Sequence, residues 1–144
     1  MNLDFEKIRE TRAAHPEKIA EVYANRTRRD VIQGDGRLFI IAADHPARNA
    51  LSVRKNPRAM ENRYDLIERL AIALSRPGVD GVLGTPDIID DLALLGCLEG
   101  KLVVGSLNRG GLRGASFEMD DRITGYDING IIRDRLDFAK MLNR

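Results

Sequence analysis

One apolar run, Leu38-Phe-Ile-Ile-Ala-Ala43, ends abruptly at Asp44, His45 and Pro46. Six apolar residues without polar alternation predict a strand buried on both faces. Such strands belong to parallel sheets and barrels. In those folds the residues just past a strand's C-terminal end line the ligand site. The run therefore places Asp44, His45 and Arg48 in a candidate site and sets the frame for the rest of the chain.

Helical and strand signals alternate around it. Residues 3–14 predict a short helix, interrupted at His15-Pro16 because the residue before proline is driven out of the α region. Ile19, Val22 and Tyr23 mark a second helix whose basic end, Asn25 to Arg29, reads as a solvated C-terminus. Gly34-Asp35-Gly36 is a turn into the opening strand. Leu66, Ile67, Leu70, Ala71 and Leu74 sit at helical spacing within Arg63 to Ser75, and Pro77-Gly78 stops that helix. Val79 to Gly84 is a short strand. Thr85-Pro86-Asp87 then opens a helix with Ile88, Ile89, Leu92 and Leu95 inward and Glu99-Gly100 as its close. Lys101 to Gly105 is a third strand, Ile128, Ile131 and Ile132 mark another helix, and Phe138 to Leu142 begins a fourth strand.

Two helices followed by repeated βα units imply an α/β fold with a parallel sheet and right-handed crossovers. Two architectures fit, a doubly wound open sheet or part of a (β/α)₈ barrel; a barrel takes about 250 residues, so a chain of 144 is expected to hold about its first half. Residues 1–36 are expected as an N-terminal helical segment and 37–144 as the half-barrel.

Composition narrows the function classes. Hydrophobic residues at 43% and charged residues at 31% describe a globular chain with enough apolar content for a core. A net charge of +1 gives no reason to expect nucleic acid or an anionic membrane as partner. No apolar run approaches the ~20 residues of a membrane span, and the charged N-terminus has no secretory h-region. The single Cys97 lies among leucines, a structural thiol in keeping with a reducing cytoplasm. Its histidines, His15 and His45, stand far apart, and no metal-ligand spacing is present, so no metal or other cofactor is expected.

The strand ends supply the candidate chemistry. Asp44 and His45 are groups that move protons near neutral pH. Arg48 and Arg109 can clamp a phosphate or carboxylate. Thr85 and Asn108 stand at the second and third strand ends as further substrate contacts, each with a competing turn or cap role. Lys140, inside the fourth apolar run, is a Schiff-base or proton-transfer candidate if it points inward and a solvent-facing lysine otherwise. The loop Ser106 to Ser116 carries glycines and arginines able to cradle an anion but matches neither nucleotide-binding fingerprint, and a plain mobile loop is its alternative.

Several strings together resemble a known family: Phe39 to Arg48, Arg63-Tyr-Asp-Leu66, Arg76 to Asp87, and Gly105-Ser-Leu-Asn-Arg-Gly-Gly111. They resemble an actinobacterial-type (β/α)₈ family related to class I aldolases, labelled deoxyribose-phosphate-aldolase-like and associated with inositol catabolism. The resemblance implies lysine-dependent, metal-free aldol chemistry on a sugar phosphate. Asp44 would then assist proton transfer, and the Schiff-base lysine would lie on a strand later than Lys140. The alternatives are a non-catalytic half-barrel that binds a phosphorylated ligand or a partner, and a gene fragment without a function of its own. Exposed half-barrel edges predict a homo-oligomer.

Overall fold

A computed structural model describes residues 3–119 and 122–143. The elements in order are α1 (Phe5–Ala14), α2 (Glu17–Asn25), β1 (Ile40–Ala42), a 3-10 turn η1 (His45–Arg48), α3 (Arg63–Leu74), β2 (Gly81–Gly84), α4 (Pro86–Leu94), β3 (Leu102–Ser106), α5 (Ile128–Arg133) and β4 (Phe138–Lys140). The strands form a single all-parallel sheet in the order β1-β2-β3-β4. The α/β class with a parallel sheet is therefore present. The described sheet has four strands and is open, with β1 and β4 at its edges.

The register separates the two faces. Ile41, Val82 and Val103 stand in one row, and Gly84, Gly105 and Ala139 in the next row of the same face. Val82 and Val103 join Ile67, Ile89, Leu92 and Tyr23 in the core. A Cβ on Gly84 would meet Ile89 of α4, and one on Gly105 would meet Ile131 of α5 at 2.3 Å. The helices thus approach this face most closely over Gly84 and Gly105, where a larger side chain would displace an isoleucine. The opposite face carries Ala42, Leu83, Val104 and Phe138 in one row, none of them part of that core. Ser106 and Lys140 form the next row on this second face.

The helices form for local reasons. Asp4 and Asn62 accept backbone N–H groups at the starts of α1 and α3. The five apolar positions anticipated in α3 are all buried. In α4, Ile88, Ile89 and Leu92 are buried as the spacing requires, and so is Asp91. That helix ends earlier than Glu99-Gly100. Gly96 adopts φ 69°, its N–H donates to Ala93 O, and the Cys97 N–H donates to Leu92 O. This is a Schellman close, which the distant Gly100 had masked.

Two further expectations are corrected. The run Leu38 to Ala43 is not a strand buried on both faces: only Ile40–Ala42 are in the strand, and Phe39 is 60% exposed. As an edge strand, β1 has a neighbour on one side alone. The strand buried along its whole length is β3. The basic stretch after α2 is not a solvated helix end either. Arg26 is 4% exposed and donates to the carbonyl oxygens of Lys101 (2.7 Å) and Arg135 (3.1 Å) and to Asp137 Oδ2 (3.3 Å). Arg28 joins it on Asp137, and Arg29 reaches Asp80 at 2.6 Å. Asp137 also accepts the Val103 N–H, and Asp80 the Phe39 N–H. These arginines seal the N-terminal ends of the strands, opposite the end that carries the candidate site.

Candidate functional site

The C-terminal ends of β1, β3 and β4 converge on one carboxylate. Asp44 lies two residues past β1 and is 7% exposed. Its Oδ2 accepts from Lys140 Nζ at 2.8 Å and from Ser106 Oγ at 3.3 Å. His45 Nδ1 lies 3.8 Å from Asp44 Oδ1 and, though buried, has no hydrogen-bond partner among the described residues. Burial alone would raise the Asp44 carboxyl. The Lys140 hydrogen bond and charge, the nearby His45 and the Ser106 hydroxyl outweigh it and hold Asp44 below the usual carboxylate range. Asp44 is therefore ionised and paired at neutral pH.

The shape of the sheet brings these groups together. Four strands at ~4.8 Å spacing put β1 and β4 roughly 14 Å apart if flat. A lysine stem and a short aspartate bridge that span only when the sheet curls toward the face bearing Ser106 and Lys140. Curvature thus converts a sequence separation of 96 into a 2.8 Å contact.

The other anticipated residues are placed as follows. Asn108 is 1% exposed and clamps the chain after β4: its Nδ2 donates to Leu142 O at 3.1 Å, and its Oδ1 accepts Leu142 N at 2.8 Å. Thr85 stands at the N-cap of α4, and its hydroxyl donates to Asp87 Oδ1. It borders a separate recess with Pro46, Met60 and Arg63. Arg48, at the end of η1, lines a cavity of about 250 Å³ with Gly110, Gly111 and Arg113. Arg109 lines a neighbouring cavity of about 470 Å³ with Phe117 and Met119. Lys140, left open as inward or solvent-facing, points inward and is the nearest cation to Asp44.

Ser106 gained no role from sequence beyond its strand-end position. Its row partnership with Lys140 across β3 and β4 is the signal that would have found it. A second ionic cluster went unread: Arg12 and Arg63 converge on Asp91, which is buried on α4. Tyr23 donates to Asp90 beside it at 2.8 Å. Cys97 is half-buried against the core, and burial pushes its thiol up. Among the described residues no three His, Cys, Asp or Glu side chains converge as a metal site would need. No helix among them is long and apolar enough to cross a membrane.

Comparisons place this arrangement. The crystal structure of Cgl0159 from Corynebacterium glutamicum superimposes with a TM-score of 0.89 at 64% sequence identity, over 94% of this chain and 46% of that one. The chain thus spans about half the length of that relative. No curated protein matches. The resemblance to an aldolase-related barrel family is corrected by these findings. The family profile that matches, over residues 36–144, is the Cgl0159-like one, and the described fold is a four-stranded parallel sheet. The chain belongs to the Cgl0159-like family.

Proposed function

We propose that the Asp44–Lys140 pair is the centre of a Schiff-base lyase of aldolase type that acts on a sugar phosphate. The observation that carries this reading is Lys140 Nζ at 2.8 Å from a buried carboxylate, at the C-terminal ends of parallel strands. A strand lysine beside a proton acceptor is the arrangement that amine attack on a carbonyl requires. Asp44 takes a proton from the ammonium, and the free amine adds to the substrate carbonyl. Asp44 returns that proton to the carbinolamine hydroxyl, which leaves as water and gives the iminium. Cleavage of the Cα–Cβ bond sends its electron pair into the iminium, while the β-hydroxyl passes its proton to the ionised Asp44 and departs as the carbonyl of an aldehyde. Protonation of the enamine and hydrolysis restore Lys140. Ser106 and His45 orient the carboxylate in this scheme.

The same reading extends the sheet into the wall of a (β/α)₈-type barrel. Sequential strand order, helices packed on one face and the Asp44–Lys140 contact at the ends of the outer strands support it. A reducing cytoplasm suits the single thiol, and a second copy of the chain is the partner proposed for the open edges.

Borohydride reduction of the chain with dihydroxyacetone phosphate tests the chemistry. The expected result is a stable adduct mapped to Lys140 by mass spectrometry and absent from Lys140→Met. Absence of an adduct from the unsubstituted chain would reduce the pair to a brace between the outer strands.

A further inference from the structure

We infer that the cavity between η1 and the loop after β3 is a phosphomonoester site, with Arg48 and the Gly110-Gly111 amides as its anion-binding groups. This rests on the proposed sugar-phosphate lyase and assigns the substrate's phosphate to a place in this chain. Three observations carry it.

First, Arg48 is a cation without an acid among the described residues. Among the described residues its side chain forms no ion pair, and its buried Nε has no hydrogen-bond partner. A buried guanidinium N–H without an acceptor is costly and invites a bound anion. Second, Gly110 and Gly111 are both buried, with φ 62° and 126°. Among the described residues neither N–H donates to any acceptor. Successive backbone amides in such turns form anion-binding concavities. Third, the wall is built rather than loose. Arg113 N donates to Arg48 O at 3.0 Å, and Asn49 Nδ2 to Arg113 O at 3.0 Å, joining the β1 and β3 loops. A Cβ on Gly110 would overlap Leu142, so the loop also packs on the chain after β4.

The charge balance suits a phosphomonoester. Among the described residues, Arg48 and Arg113 line the cavity with one carboxylate, Glu118, whose Oε1 already accepts the Gly114 N–H at 2.7 Å. Its position suits the proposed chemistry as well. At ~2 Å rise per residue, η1 sets the Arg48 backbone roughly 8 Å beyond Asp44, the reach of a short phosphorylated carbon chain.

Titration with inorganic phosphate, followed by ³¹P NMR and calorimetry, tests the site without any chemistry at the lysine. The unsubstituted chain and Lys140→Met should bind phosphate alike. Arg48→Gln should weaken binding at least about tenfold, with partial rescue by Arg48→Lys. Arg113→Gln, on an exposed position of the same wall, should weaken it too and serves if Arg48→Gln fails to fold. No binding to the unsubstituted chain, or equal weakening by the remote control Arg76→Gln, overturns the assignment. Borohydride trapping reads the lysine separately. Phosphate binding without an adduct rejects the Schiff base and keeps this site, whereas an adduct formed without phosphate binding does the reverse.

Discussion

Lys140 Nζ, on β4, and Asp44 Oδ2, two residues past β1, meet at 2.8 Å at the C-terminal end of the sheet. The pair therefore ties the two outer strands together at the rim that carries the candidate chemistry. Lys140 is about a quarter exposed while Asp44 is nearly buried. Removing the cation strands the carboxylate in a site that water reaches poorly. Lys140→Met should destabilise the chain by about 1–3 kcal/mol, short of the loss for a fully buried pair. Lys140→Arg should recover most of that stability while failing to form a borohydride-stable adduct. Urea melts of the three proteins, run beside the trapping assay, separate the brace from the nucleophile.

The acid limb of stability follows from Asp44. Its folded carboxyl is held below the usual range, so the unfolded chain binds its proton more readily than the folded one. Stability from this group is complete above the ordinary carboxylate value and is lost as pH falls through the folded value. Asp80 and Asp87 are lowered as well and add to the same slope. Asp90 works the other way, because burial raises it despite the Tyr23 hydrogen bond. Asp44→Asn should therefore flatten the loss of stability between neutral and acidic pH without abolishing it. An unchanged slope in urea melts across that range would show that Asp44 is not held low.

Arg26 and Arg28 share Asp137 but differ in burial. Arg26 also satisfies the carbonyls of Lys101 and Arg135 at the ends of β3 and β4. Arg26→Ala should cost about 3 kcal/mol or more, because it orphans those two acceptors and takes from Asp137 its fully buried partner, leaving Arg28 and the Val103 N–H. Arg28→Ala, at a half-exposed guanidinium, should cost at most about 1 kcal/mol. Equal effects in thermal melts would contradict the clamp assigned to Arg26.

What could be read from sequence follows the range of each interaction. The stripes of α3 and α4 were legible because helical periodicity is local and their apolar faces meet a sheet. The tip of β1 was legible because a strand's end and its first polar residues are adjacent in the chain. The burial of β1 was not, since an apolar run reads the same at an edge as in the middle of a sheet. Arg26 was misread because its partners at 101, 135 and 137 lie more than seventy positions away. Lys140 stayed ambiguous for a similar reason. Its direction depends on the parity of β4 relative to β3, set by the Gly105–Ala139 and Ser106–Lys140 pairing. The proposed anion cavity showed in sequence as a loop whose glycines and arginines could cradle an anion and as Arg48 apart from it; that Arg48, Gly110 and Gly111 line one cavity appears only after folding.

The glycines under the helices give a test of that packing. A Cβ at Gly105 would lie 2.3 Å from Ile131 Cδ1, 2.7 Å from Tyr126 and 2.9 Å from Leu136. The isoleucine end can swing aside, but the tyrosine ring is 3% exposed in the core beside Tyr23. Gly105→Ala should therefore cost about 1–3 kcal/mol through overpacking. Because Ser106 follows directly, it should also disturb the carboxylate site. Gly96→Ala meets no atom within 4 Å but must hold φ 69°, so its cost of about 1 kcal/mol comes from the backbone alone. A trapping yield reduced by Gly105→Ala and unchanged by Gly96→Ala would tie the site to α5 packing.

The open edges bear on how the chain exists in solution. Each outer strand leaves one side of its backbone unpaired among the described residues. Apolar groups stand beside both: Phe39 is 60% and Phe138 38% exposed. Edges of this kind template pairing with another chain unless charge or a bulge protects them. Lys140, the charge on β4, is turned inward to Asp44 and does not guard its edge. A second copy presenting the same edges can pair β1 with β4 and β4 with β1, and both seams close by one two-fold operation. Sedimentation equilibrium should therefore show a dimer or larger species at micromolar concentration. Phe39→Lys with Phe138→Lys should shift the population toward monomer by placing charge on both seams. A monomer in the unsubstituted chain with a cooperative melt would show that the sheet tolerates its open edges.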